Sequence, residues 1–443
     1  MPSFSIRKLL NDQFRLFLEL VPWIPVSMLV GVLAGTASAV LLASLTFATE
    51  VRERHVWIIL FLAPAGWVVG LMYKHFGRAV EGGNNLILDQ IHNPSETIPV
   101  RMTPLILIGT FMCHLFGGSA GREGTAIQTG ASLADQLAKP FRMSPANRRI
   151  LLMAGVSAGF GSVFGTPLSG AIFGIEVLAI GQLSYEAIAP CFLAAFVGDL
   201  VTRRWADLVP GVQHTVYHVS AVPTLSLSGI AYAGLSGICF GLVGMAFAKV
   251  THAISHMASK RISRSELRPV VGGAIVSLAV FALGTTKYIG LGIATIVAAF
   301  HTKLPAYDFA AKFLFTAVTL GTGFKGGEVT PLFYIGATLG NALSRVLPLP
   351  SSLLAGMGFV AVFAGAANTP IASTLMAIEL FGAEAGAYAS IACVLSYLFS
   401  GDAGIYHAQR VGKSKHRASA AEKGMSLALI AKTRGKPESE EVP

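Results

Sequence analysis

The chain has 443 residues, 53% of them hydrophobic and 13% charged, with a formal net charge of +10 and a mean hydropathy of +0.63. So few charges over this length cannot cover a water-soluble surface, since soluble domains carry about 25%, and disordered chains are poor in apolar residues. A polytopic membrane protein remains, and the 48 glycines suit close helix packing in lipid.

Arg7, Lys8 and Arg15 precede the first long apolar run. The positive-inside rule places that segment, residues 1–20, in the cytoplasm. A bilayer core takes about 20 apolar residues of helix. Apolar stretches follow near 22–48, 55–76, 103–118, 150–180, 186–201, 223–250, 268–296, 309–323, 332–346, 352–380 and 387–400. Several are short and several carry Gly and Pro clusters. Uniform spanning helices predict neither feature, whereas broken or re-entrant helices predict both. Irregular backbone at membrane depth is tolerated only where it lines a protein-enclosed cavity. The basic clusters Lys139, Arg142, Arg148, Arg149 and Lys260, Arg261, Arg264 lie between these stretches and read as cytoplasmic. The tail, 407–443, holds eight cations (Arg410, Lys413, Lys415, Arg417, Lys423, Lys432, Arg434, Lys436) and four Glu; it reads as cytoplasmic, and as solvated rather than lipid-bound. No cleavable signal peptide is apparent. Cys113, Cys191, Cys239 and Cys393 sit in apolar stretches with no CxxC pair, so neither a zinc site nor a disulfide framework is expected.

The chain repeats itself. In TPLSGAIFGIE, Glu176 follows Pro167 by nine residues, and in TPIASTLMAIE, Glu379 follows Pro370 by nine. Upstream, GREGTAIQTGASLA from Gly121 and GGEVTPLFYIGATLG from Gly326 align Glu123 with Glu328, Thr125 with Thr330 and Gly130 with Gly336. The offset of about 203–206 residues divides the chain into two transmembrane repeats, 21–210 and 220–406. Corresponding broken segments in two halves point to a transport site near the midplane.

Thr125, Thr166, Thr330 and Thr369 each open such a segment, and proline follows three of them at Pro167, Pro331 and Pro370. Threonine suits an N-cap and proline the first helical position. Helices therefore start inside apolar regions, each with unpaired N–H groups and about half a positive charge. Such ends either cap ordinary helices near headgroups or form anion sites. Their occurrence in repeat-related pairs favours the second reading. Gly118, Gly121 and Gly124, with Gly323, Gly326 and Gly327, let backbone approach an ion closely.

One of these starts carries an acid, Glu123. An ionisable group at membrane depth is a functional hypothesis by default. Its carboxylate can take the anion's place on the same N–H groups and leave when protonated, which is the physical root of proton–anion exchange. Glu176 and Glu379 read as a structural pair, Glu328 as a site residue through its backbone N–H, and Arg122 as structural more than a ligand. The GxGxxG match at 321–326 lacks a dinucleotide fold's strand and acid. The GxSxG matches at 117–121 and 155–159 lack the strand of a hydrolase elbow.

These residues resemble the CLC family of chloride channels and proton-coupled antiporters over nearly the whole transmembrane chain. GREG at 121–124 resembles the motif with the gating glutamate, which assigns that role to Glu123. GGEVTP at 326–331 resembles the family's GxFxP segment, GGNNLI at 82–87 stands where GSGIP is usual, and Tyr406 matches the tyrosine that reaches the central anion. The resemblance implies an all-α fold of two inverted repeats of broken, tilted and re-entrant helices, and a homodimer with one pathway per subunit. It departs in an informative way. Asn84 replaces the usual serine, Val329 and Thr330 precede the proline, and Val177 stands where many chloride antiporters keep a second, proton-delivering glutamate. This set resembles the fluoride-exporting subclass. The Asn84 amide can donate two hydrogen bonds where serine donates one. The expectation is a fluoride/proton antiporter of the bacterial inner membrane, not an enzyme. Glu123 gates it, and Asn84, Gly121, Arg122, Gly124, Glu328, Val329, Thr330 and Tyr406 bound the anion. The transported ions are a halide and a proton; no metal, nucleotide or nucleic acid is called for. A chloride/proton antiporter or passive anion channel of the same fold is the alternative.

Overall fold

The computed structural model describes residues 13–14, 17–413, 415 and 422–434. Arg7, Lys8, Arg15, Arg417 and Lys436 lie outside the described residues. In chain order the helices are α1 (Trp23–Arg54), α2 (Leu62–Met72), α3 (Asn84–His92), α4 (Met102–Leu115), α5 (Glu123–Asp135), α6 (Pro145–Phe164), α7 (Pro167–Glu176), α8 (Ile188–Ala206), α9 (Leu227–Arg261), α10 (Arg268–Leu283), α11 (Ile293–His301), α12 (Asp308–Gly321), α13 (Val329–Leu343), α14 (Ser351–Ala367), α15 (Pro370–Phe381), α16 (Ala383–Phe399) and α17 (Leu427–Arg434). Two short strands, β1 (Ala179–Ile180) and β2 (Arg410–Val411), pair in parallel.

Among the described residues, five helical segments are long and apolar enough to cross a membrane: Phe17–Arg54, Val56–His92, Tyr185–Ala206, Leu227–Arg261 and Ser265–Leu283. The 32 residues of α1 extend ~48 Å at about 1.5 Å per residue. That exceeds a hydrocarbon core of about 30 Å, so α1 is long enough to span it with tilt. The apolar stretches at 150–180, 268–296 and 352–380 each prove to be two helices. Gly165 (φ 74°) ends α6 before Pro167 starts α7, Gly284 (φ 63°) ends α10, and Asn368 (φ 59°) ends α14 before Pro370 starts α15. A left-handed cap followed by proline stops one helix and restarts another in a new direction.

Threonine capping does not hold. Thr166 and Thr369 stand at the N-caps of α7 and α15, but their hydroxyls make no capping bond and are buried without a partner. Thr125 and Thr330 fall inside the first turns of α5 and α13. The capping of α7 and α15 is done by acids from the opposite half. Glu379 accepts from the N–H groups of Leu168 (2.9 Å) and Ser169 (2.8 Å), and Glu176 accepts from Ile371 (3.0 Å) and Ala372 (2.8 Å). Each carboxylate places its two oxygens on two neighbouring donors at once. Glu176→Ala leaves both α15 donors unsatisfied, so it should cost about 1–3 kcal/mol. A fall of a few degrees in the melting temperature of the detergent-solubilised protein is the check; no change would refute the capping role.

Glycine sets how closely the site-bearing helices approach. A Cβ on Gly336 would lie 1.9 Å from the Gly358 carbonyl oxygen, and one on Gly340 would lie 2.0 Å from that of Leu354. The α13–α14 crossing is therefore backbone against backbone. The α5–α6 crossing is built alike, with a Cβ on Gly130 falling 2.4 Å from the Gly155 oxygen. These two crossings fix where the N-termini of α5 and α13 point.

The described part of the tail is not a solvated strand. β2 pairs with β1 in the register Ala179↔Arg410 and Ile180↔Val411, and Leu427 and Ile430 of α17 bury against Ile180 and Val411. Gln409 donates to the carbonyls of Val177 (2.9 Å) and Ala367 (3.1 Å). Lys415 donates to Asn368 Oδ1 (2.5 Å), the Tyr397 carbonyl (2.7 Å) and Ser400 Oγ (2.8 Å), pinning the tail to the ends of α14 and α16.

Candidate functional site

Two glycine-bearing loops meet and aim two helices at one place. The loop before α5 and the loop before α13 form an antiparallel bridge: Gly121 N–H donates to Gly327 O (2.6 Å) and Gly327 N–H to Gly121 O (2.8 Å). A Cβ on Gly121 would sit 2.9 Å from Gly327 O, and one on Gly327 would sit 2.6 Å from Gly124 N, so only glycine permits this approach. Ser119 anchors the first loop, its hydroxyl donating to Tyr288 O (2.9 Å) and its N–H donating to Thr319 Oγ1 (3.1 Å).

Glu123, the first residue of α5, is fully buried. Its carboxylate lies on the N-terminus of α13, the repeat-related helix. Oε2 accepts from the Thr330 N–H (3.0 Å) and the Arg122 N–H (3.1 Å), and the Thr330 hydroxyl donates to Oε1 in a short contact. Arg122 Nε stands 3.5 Å from Oε1. Pro331 has no N–H, so the first turn of α13 offers those of Val329 and Thr330, and the acid has taken one of them. The acid of one helix start is thus seated on the start of the other.

Beside this pair lies a cavity of about 140 Å³ whose lining includes Gly83, Asn84, Gln128, Lys325, Glu328 and Tyr406. Asn84 begins α3 directly after Gly83, which adopts φ 56°. Three buried polar atoms in this lining have no protein partner: Asn84 Oδ1, Glu328 Oε2 and the Tyr406 hydroxyl. Buried polar groups are nearly always satisfied, so three orphans on one cavity mark a place made for a polar or ionic guest.

Of the residues expected from sequence, Asn84, Glu328 and Tyr406 share the cavity. Glu123, Arg122, Thr330, Gly121 and Gly124 gather at the two helix starts, with Val329 buried beside them. Arg122 turns to Glu123 and does not line the cavity. Lys325 and Gln128 are among the lining residues that the sequence did not single out. Lys325, with Nζ 4.0 Å above the Tyr73 ring, sits inside the discarded GxGxxG stretch, one residue before Gly326. Gln128 lies one turn beyond Gly124 on α5, where a polar side chain in an apolar stretch is the signal. Val177 is 2% exposed, packed in the core. Among the described residues, no three His, Cys, Asp or Glu side chains converge as metal ligands.

Residues 65–401 match the family described as voltage gated chloride channel. The chain is 54% identical over 411 residues to a chloride/fluoride channel protein of Pseudomonas syringae pv. tomato, covering 91% of this chain and 90% of that protein. It is 27% identical over 345 residues to the H(+)/Cl(-) exchange transporter ClcA of Yersinia pestis, covering 73% of this chain and 71% of that one. The fold superposes on the crystal structure of a CLC-type fluoride/proton antiporter with a TM-score of 0.85 at 33% identity, covering 89% of this chain and 99% of the other. A slow cyanobacterial Cl-/H+ antiporter shares the fold, with a TM-score of 0.74 at 17% identity, covering 93% of this chain and 97% of the other.

Proposed function

The chain belongs to the voltage-gated chloride channel (CLC) family, whose members are transporters rather than enzymes, and on that premise we propose that it exchanges fluoride for protons. One observation carries the reading. The Glu123 carboxylate occupies donors at the start of α13, next to a cavity with three polar lining atoms, on Asn84, Glu328 and Tyr406, that have no protein partner.

Ionised, Glu123 holds the Thr330 N–H and hydroxyl, and each hydrogen bond to a charged group is worth about 1.5–3 kcal/mol. A proton removes the charge, weakens both bonds and frees the helix start, whose dipole then draws an anion from the cavity. Departure of the anion lets the carboxylate return and give up its proton. Anion and proton therefore alternate at one place. Val177 cannot carry a proton, so delivery to Glu123 runs through the group that touches it, the Thr330 hydroxyl. Fluoride holds its hydration shell tightly, and a small cavity with an amide, a phenol and a lysine supplies the strong donors needed to replace it. The names of the Pseudomonas relative and of the 33%-identical antiporter support fluoride as cargo. In this reading two copies assemble with one pathway each, in the bacterial inner membrane with the tail in the cytoplasm, and the proton gradient drives export without nucleotide or metal.

The test is efflux from liposomes, followed with a fluoride electrode and simultaneous pH recording. An outward fluoride gradient should drive proton uptake, with chloride moving at least ~10-fold more slowly, the effect of about one well-made hydrogen bond. Equal chloride and fluoride rates would overturn the selectivity. Fluoride movement without protons would make the protein a channel. Asn84→Ser should narrow the fluoride preference by up to the same factor.

A further inference from the structure

The docked tail builds a second cavity, away from the site above, of about 800 Å³. Its walls come from the α7–α8 connection, the N-terminal part of α6 and the tail itself, and its cations are Arg149, Arg410, Lys413 and Lys423. The β1–β2 pairing brings them together. Arg410 lies opposite Ala179, Lys413 follows where its N–H donates to Ile180 O (2.9 Å), and the turn at Lys423–Gly424 is tied back by Gly424 N–H to Val411 O (2.7 Å). Two carboxylates share the lining, and both are engaged. Glu176 caps α15, and Glu186 lies 3.4 Å from Arg149. Neither of these two lining carboxylates pairs with Arg410, Lys413 or Lys423; outside the lining, Asp89 acts on Arg410 electrostatically.

Four cations drawn from separate stretches of chain converge on one concavity, with Arg149 paired to Glu186 and Arg410 within electrostatic reach of Asp89. Like charges repel, and the β1–β2 pairing holds these close together against that repulsion. A polyvalent anion resolves it. The volume falls in the range of small-molecule sites, about 300–1,000 Å³, and far exceeds a halide. Arginine and lysine together are the usual recognition set for phosphate oxygens.

We propose that this cavity binds a phosphate-bearing polyanion, and that the ligand clasps the tail to the membrane domain. The phosphate belongs either to a soluble phosphorylated compound or to the headgroup of an anionic lipid. The site abuts Glu176 and Ile371, so its occupancy is felt at the start of α15.

The test uses the purified full-length chain in detergent. Sodium pyrophosphate, compared with sodium chloride at equal ionic strength, should raise the melting temperature by a few degrees, as ligand binding to the folded state does. The exposed double variant Lys413→Ala/Lys423→Ala, and the triple variant adding Arg410→Ala, should weaken pyrophosphate binding by at least ~10-fold, in line with the loss of charge-assisted contacts. In a second arm, native mass spectrometry after extraction from phosphatidylglycerol-containing membrane reads retained lipid. Retention by the parent chain that is lost in the variants assigns the phosphate to lipid; a pyrophosphate effect alone assigns it to a soluble compound. If neither pyrophosphate protection nor lipid retention differs between the parent and the double variant, which touches only exposed side chains, the proposal is overturned.

Discussion

Glu123→Gln should abolish proton coupling. Glutamine matches the acid in shape but offers one acceptor oxygen instead of two, and its NH2 group faces donors at Thr330 that the carboxylate now satisfies. Two bonds to a charge, each worth about 1.5–3 kcal/mol, are weakened together, and no proton can be taken up. The amide stands permanently for the protonated acid. In liposomes carrying this variant a fluoride gradient should move no protons above background, a drop of ~100-fold or more in coupled flux, whatever the residual anion leak. Fluoride-driven proton uptake at the parent rate would remove Glu123 from the mechanism, even if the chain proved fluoride-selective.

Gly336→Leu should yield no folded protein. The added Cβ alone would lie 1.9 Å from the Gly358 carbonyl oxygen. Here the obstacle is helix backbone on both sides, so neither partner can give way. Overpacking a core usually costs about 1–3 kcal/mol through shifts of side chains. A crossing with no side chains to shift should exceed that and separate α13 from α14. Size-exclusion chromatography of a fluorescent fusion checks it, with the monodisperse peak lost. Gly234→Ala is the matched control. Its Cβ would meet a single leucine methyl, on Leu395 at 3.0 Å, which can rotate away, and the peak should survive. A monodisperse Gly336→Leu protein would mean that the crossing is looser than described.

Much of the site could be read from the chain because its chemistry is local. Glu123 is one residue from Gly124 and two from Gly121, and the repeat pairs that stretch with Gly326–Pro331. A helix start needs only a few consecutive residues to declare itself. The proline rule held at α7 and α15, but the threonine rule failed there, because the true partners of those N–H groups are Glu176 and Glu379, 195 and 211 residues away. Both acids were legible as a structural pair; that each serves the other's helix is a fact of three dimensions. Lys325 was hidden differently. Its neighbours formed a false nucleotide motif, and rejecting the motif removed the residue from view. The order in the tail was illegible because it rests on two-residue strands, too short to leave an alternating pattern, and on Lys415, one cation among eight.

The exchanged caps of α7 and α15 bear on biogenesis. The donors of α7, at Leu168 and Ser169, have no carboxylate until Glu379 has been made, 211 residues later for Leu168. At about 5–20 residues per second, that is an interval of roughly 10–40 s in which α7 exists with an unsatisfied end. A chain cut short before Glu379 therefore lacks the carboxylate that satisfies the start of α7.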